Sequence, residues 1–222
     1  MHVLRPILAA TAAALLAPQA AQAAALAGLA PCYRSVDQET RETVPVRGSG
    51  FTPGATVTVR IDGKVVAGDI KAQGDGMVEG TVPAPYQARG ERPFMLTVTE
   101  DERPGITAGA ASRVAALGLR LKPRRAKPSR KVRFIGRGFT DAEDRAVYAH
   151  YVRAGKLRKT VRLGTAKGLC GRIDVKRPQI PIRKPQVGRW TLQVDNQPTY
   201  SAVPVSVVVR IPIDVKKGYP RP

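Results

Sequence analysis

Residues Val46-Arg47-Gly48-Ser49-Gly50-Phe51-Thr52 return 88 positions later as Phe134-Ile135-Gly136-Arg137-Gly138-Phe139-Thr140. A segment repeated at one offset implies two copies of a single small domain plan. The match has company. Val44 answers Val132 at the same offset, and Gly63-Lys64 has a near counterpart in Gly155-Lys156. Pro93-Phe94-Met95-Leu96-Thr97-Val98 resembles Arg189-Trp190-Thr191-Leu192-Gln193-Val194. Each copy closes on a valine-rich stretch, Ser112 to Leu117 and Val203 to Val215.

The periodicity is that of strands. Val57 and Val59 alternate with Thr56, Thr58 and Arg60. Val205, Val207, Val209, Ile211 and Ile213 alternate with Ser206, Val208, Arg210, Pro212 and Asp214. A period of two in β-branched residues marks half-buried strands. Pro212 fits the outward face of an edge strand, where a missing N–H costs little. Thr140 to Val152 offers the nearest helical pattern, but its second part, Ala146 to Arg153, reads better as a strand. That strand would place Tyr148, His150 and Val152 on one face and Val147, Ala149 and Tyr151 on the other.

The paired glycines, Gly48 and Gly50 before Phe51 and Gly136 and Gly138 before Phe139, mark a bulge or a close backbone approach. Each phenylalanine can then turn into the core. No Gly-Lys-Ser/Thr follows, so this is not a phosphate loop. The first copy, Val46 through Phe51 and on to Thr52-Pro53-Gly54-Ala55-Thr56-Val57, resembles the opening of bacterial immunoglobulin-like domains of the IPT/TIG or neocarzinostatin-like type. The second keeps the glycines and Phe139 but replaces Pro-Gly with Asp141-Ala142. The resemblance implies an all-β fold of two tandem immunoglobulin-like β-sandwich domains. Its neocarzinostatin-like form would allow a small-ligand carrier, although the disulfides inside that type of domain have no cysteines here.

The first 23 residues read as an export signal. They carry His2 and Arg5, an apolar run from Pro6 to Ala17, and the small-x-small site Ala21-Gln22-Ala23. Residues 24–117 and 118–222 then form domains one and two, near the usual sandwich size of about 100 residues. Later apolar runs are too short for a membrane span. Such a chain is expected to be secreted or held at the cell surface. Export makes a bond between Cys32 and Cys170 chemically feasible. Two separate thiols or an intermolecular bond are the alternatives.

Charge divides the copies. Residues 24–117 hold ten Lys/Arg and eleven Asp/Glu, net −1, whereas residues 118–222 hold twenty-six and six, net +20. The candidate polyanion-binding residues are Arg124, Arg125, Lys127, Arg130, Lys131, Arg158, Lys159, Arg162, Arg183 and Lys184. Arg158 and Arg162 are expected on one side of their strand. A surface of this kind attracts polyanions. Compartment favours anionic cell-wall or extracellular polymers over nucleic acid, for which no recognition signature is present. A solvated basic surface without a partner is the plainer reading, and a docking role on another exported protein is a further one.

Catalysis has little to stand on. His150 is the only histidine beyond the leader, and no Gly-x-Ser-x-Gly is present. Two cysteines do not make a structural zinc site. The expectation is a non-enzyme with no cofactor and no metal. An apolar pocket lined by Tyr148, Tyr151 or Trp190 would instead favour a carrier.

Overall fold

The computed structural model describes residues 23–140, 146–203 and 208–216. Almost all of the leader lies outside these residues, as do Val205 and Val207 of the final valine run. Among the described residues every regular element is a strand.

In the first half, β1 (Ala25–Leu26), β3 (Thr43–Ser49) and β6 (Val78–Pro83) form one sheet in the order β1-β3-β6. The facing sheet adds β2 (Tyr33–Ser35), β4 (Thr56–Ile61), β5 (Lys64–Lys71), β7 (Glu91–Glu100) and β8 (Thr107–Ala116) in the order β2-β8-β7-β4-β5. In the second half, β9 (Gly118–Lys122), β10 (Lys131–Arg137) and β13 (Ile173–Pro178) order as β13-β10-β9. Opposite them lie β11 (Ala146–Arg153), β12 (Lys156–Thr165), β14 (Gly188–Asp195) and β15 (Val209–Val215), ordered β12-β11-β14-β15. Leaving out β2, the halves share one strand order. Three strands packed on four is an immunoglobulin-like sandwich, here used twice.

The alternation seen in the sequence sets the inner faces. Val44 and Val46 from one sheet meet Val57, Val59, Leu96 and Val98 from the other in the first core. Phe134, Val147, Ala149, Tyr151, Trp190 and Leu192 build the second. Each large apolar side chain so buried contributes roughly 1.5–3 kcal/mol. Two-residue turns at Asp62-Gly63 and Ala154-Gly155 have positive φ at both positions, the backbone that lets a tight hairpin follow strand twist. Pro212 faces outward on β15, which among the described residues pairs with β14 alone.

The repeated glycines prove to be sites of close approach, not bulges, because the ladders β3–β6 and β10–β13 run without a register shift. A Cβ on Gly48 would sit 2.7 Å from Phe51 Cε2, and one on Gly136 would sit 2.8 Å from Phe139 Cε2. A third equivalent pair is hidden from the repeat because its offset is different. Phe51 donates its backbone N–H to Gly76 O at 3.2 Å, and Phe139 donates to Gly171 O at 3.3 Å. Gly76 and Gly171 both have positive φ, and a Cβ on either would strike the carbonyl oxygen of its phenylalanine.

Gly171 follows Cys170, which is bonded to Cys32 across 138 residues. Cys32 precedes β2, and β2 pairs in parallel with the last residues of β8. Leu117, the residue between β8 and β9, donates its N–H to Ser35 O at 2.8 Å. The two sandwiches are thus joined twice at one place, by the chain and by the disulfide. Cys32, Cys170 and Ala115 are buried together there.

Candidate polyanion-binding surface

Register places the second sandwich's two ends. Gly118 pairs with Arg137, and Gly136 with Ile173, near the junction with the first sandwich. Lys122 pairs with Arg133, and Lys131 with Pro178, toward the far end. Three connections meet at that far end. The β13–β14 connection holds the β9–β10 loop: Gln179 N–H donates to Arg130 O at 3.0 Å, Gln179 Nε2 to Arg124 O at 3.3 Å, and Ile180 N–H to Pro128 O at 2.8 Å. Gln179 and Ile180 are buried, so this clamp is part of the core. Arg153, just before the β11–β12 turn, donates to Gln186 Oε1 at 2.6 Å and to Val187 O at 2.9 Å.

Clusters that are far apart in the chain therefore share one pole. Arg124, Arg125, Lys127, Arg130 and Lys131 are exposed on or beside the first loop, and Arg183 and Lys184 on the third connection. Lys156, Arg158 and Lys159 follow directly on the β11–β12 turn and are exposed too. Arg162 is exposed farther along β12, opposite Tyr148. One expectation needs correcting. The β11–β12 register shifts between Tyr151 and Val152, so Lys159 pairs with Tyr151, Leu157 pairs with Val152, and Arg158 falls at the bulge. The simple alternation that would have aligned Arg158 with Arg162 is broken there.

From the pole a row of cations runs across the three-stranded sheet. Arg133 on β10 is in register with Lys122 on β9 and with Lys176 on β13. Like charges directly opposite one another destabilise a sheet. One carboxylate relieves the row: Asp174 accepts from Arg133 Nε at 2.5 Å and Nη2 at 2.6 Å, and from Arg172 at 3.3 Å. The Arg133 hydrogen bonds lower the Asp174 pKa, and the pair raises that of Arg133. Arg177 turns the sheet edge, with its Nη2 3.3 Å from Leu163 O on β12. The row joins residues outside the sequence-based candidate set, because their register depends on β9 and β13 flanking β10.

The candidate pocket aromatics are used otherwise. Tyr151 and Trp190 lie in the core, and Trp190 Nε1 donates to Gln186 O at 2.8 Å. Burial raises the Tyr151 pKa, and its hydroxyl has no hydrogen-bond partner among the described residues. A cavity of about 370 Å³ lies instead at the junction, lined by Pro31, Cys32, Tyr33, Glu42, Thr140 and Leu169 among others. His150 is fully buried on the other face of β11. Its Nε2 faces Asp195 Oδ1 and Gln197 O, both at 3.1 Å, so that nitrogen carries the proton; its Nδ1 meets Thr160 Oγ1 at 2.9 Å. Threonine, histidine and carboxylate line up, with His150 and Asp195 both buried.

No family model and no curated protein matches the chain. Solved structures similar to it include SGBP-B of the Bacteroides ovatus mixed-linkage glucan utilization locus, in complex with a mixed-linkage heptasaccharide, at 11% identity and TM-score 0.31. That match covers 89% of this chain and 46% of the other, so the chain spans less than half of that structure's length. The central fibronectin-III array of RIM-binding protein is similar at 12% identity and TM-score 0.23, covering 89% and 71%. Rst D1-D2 is similar at 11% identity and TM-score 0.28, covering 88% and 100%.

Proposed function

We propose that the chain is an exported, non-catalytic binding protein that associates with anionic cell-wall or extracellular polymers through its second sandwich. In this reading residues 1–23 are removed, residues 24–117 form a near-neutral sandwich of the IPT/TIG kind, and residues 118–222 form the binding module. The supporting observation is the in-register row Lys122–Arg133–Lys176, opening onto a pole where three connections gather further cations. Folding alone gains nothing from such a row, whereas a polyanion releases counterions on meeting it. This pole lies at the end of the second sandwich away from its junction with the first.

The test compares the full chain with a variant in which Lys122, Arg124, Arg125, Lys176 and Arg183 are changed to Gln. Both are passed over purified anionic wall polymer across a salt series. The parent's log affinity should fall linearly with log salt, and the slope should shrink by about 0.7 for each lost contact. Equal retention of the two proteins at every salt concentration would refute the reading.

A further inference from the structure

From the geometry of the second sandwich we infer that the polymer is a single flexible chain that wraps around one edge of the sandwich, not a rigid duplex or a flat membrane. The inference rests on the polyanion reading and narrows its ligand. Lys122, Arg133 and Lys176 face outward from the three-stranded sheet, because Leu121, Val132 and Phe134 between them are buried inside. Arg162 belongs to the opposite sheet. It pairs with Tyr148, which lies on the face away from the core residues Val147 and Ala149. The two cationic positions therefore look out of opposite sides of one sandwich.

They meet around the edge shared by β12 and β13. A Cβ on Gly164 of β12 would lie 3.5 Å from Val175 Cγ1 of β13, so the strands are in close contact. Arg177 spans that contact through Leu163 O. Lys159 sits on β12 opposite the core residue Tyr151 yet is exposed, because β12 is the outermost strand and its inward side opens to solvent at this end. Positive charge thus continues from one outer face, over the edge, to the other.

The path is short. Two strand spacings and one sheet spacing make about 20 Å. A linear polyanion can bend over that distance. DNA, with a persistence length of about 500 Å, cannot. A membrane can touch the pole or one face but cannot follow the turn. The shared ligand chemistry is a chain of phosphate, sulfate or carboxylate groups on a backbone with free torsions.

The experiment uses the full chain, inorganic polyphosphate in short and long fractions, a duplex DNA of matched charge, and vesicles of anionic lipid. The comparison protein carries Arg162→Gln, exposed on β12 away from the pole, with its thermal unfolding checked against the parent. Long polyphosphate should bind with a steeper salt dependence than short. The substitution should weaken long-chain binding about threefold while leaving duplex, vesicle and short-chain binding unchanged within error. An equal loss on duplex or vesicles, or no loss on long polyphosphate, overturns the wrapping. If none of the probes is retained at low salt, the polyanion reading itself fails, which is a different result.

Discussion

His150 Nε2 lies 3.1 Å from Asp195 Oδ1, and both side chains are sealed from solvent on the face of β11 and β14 that points away from the core. Gln193 Nε2 donates to Asp195 Oδ2 at 3.0 Å and to Ser201 O at 3.1 Å, while Gln197 N–H donates to Asp195 Oδ1 at 2.9 Å. The connection after β14 is therefore pinned to the sheet by one carboxylate and its donors. Burial pushes the Asp195 pKa up, but the bonds from His150, Gln197 and Gln193 outweigh it and leave the pKa below the usual value.

A folded-state pKa below the unfolded one gives stability that is complete above the unfolded value, near 3.9 for aspartate. That contribution is lost as pH falls through the folded value. Asp195→Asn should cost about 1.5–3 kcal/mol at pH 7, the range for hydrogen bonds to a charged group. In urea titrations from pH 7 down to pH 2, the gap between parent and variant should close below pH ~4. A gap that stays constant through this range would show that the charge is not what holds the connection.

Tyr151 gives the opposite expectation. A buried hydroxyl without a partner costs about 1–3 kcal/mol, so Tyr151→Phe should leave stability unchanged or raise it by about 1 kcal/mol. A loss larger than 1 kcal/mol in urea unfolding would mean the hydroxyl is bonded after all.

Gly76 and Gly171 should be the least replaceable glycines. Each combines positive φ with a phenylalanine carbonyl where a Cβ would go. Gly76→Ala and Gly171→Ala should each cost roughly 3 kcal/mol or more, given strain of about 1–3 kcal/mol from the backbone alone and a steric clash besides. Gly54 also has positive φ but faces open space, so Gly54→Ala should cost about 1 kcal/mol. Chemical denaturation of the three variants decides the order.

Much of the scaffold was legible, and the reason is local. Strand period and tight-turn glycines act over a few residues, so β11 at Ala146–Arg153 and the paired cores could be read directly. The doublet Gly-x-Gly-Phe showed because its spacing is fixed at the end of one strand. Gly76 and Gly171 did not show, because intervening connections of unequal length change their offset. The site was legible as charge but not as shape. Nothing local to Lys122, Arg133 or Lys176 sets their register, and only the clamp by Gln179 and Ile180 brings the β9–β10 loop to the β13–β14 connection.

The row itself predicts a trade between stability and binding. Lys176→Thr removes a charge directly opposite Arg133 and installs a good strand residue. It should raise stability by a few tenths of a kcal/mol while lowering the salt slope of polyanion binding by about one contact. A destabilised Lys176→Thr would show that the row is a structural asset.

The bond between Cys32 and Cys170 encloses residues 33–169, including the junction at Leu117 and Gly118 and the whole β9–β10 loop. A protease that cuts this chain once anywhere inside that span produces two polypeptides but not two molecules. The basic pole stays tethered to the neutral sandwich until a reductant reaches a disulfide whose two cysteines are almost wholly buried. A single cut in that span therefore leaves the second sandwich covalently attached to the first.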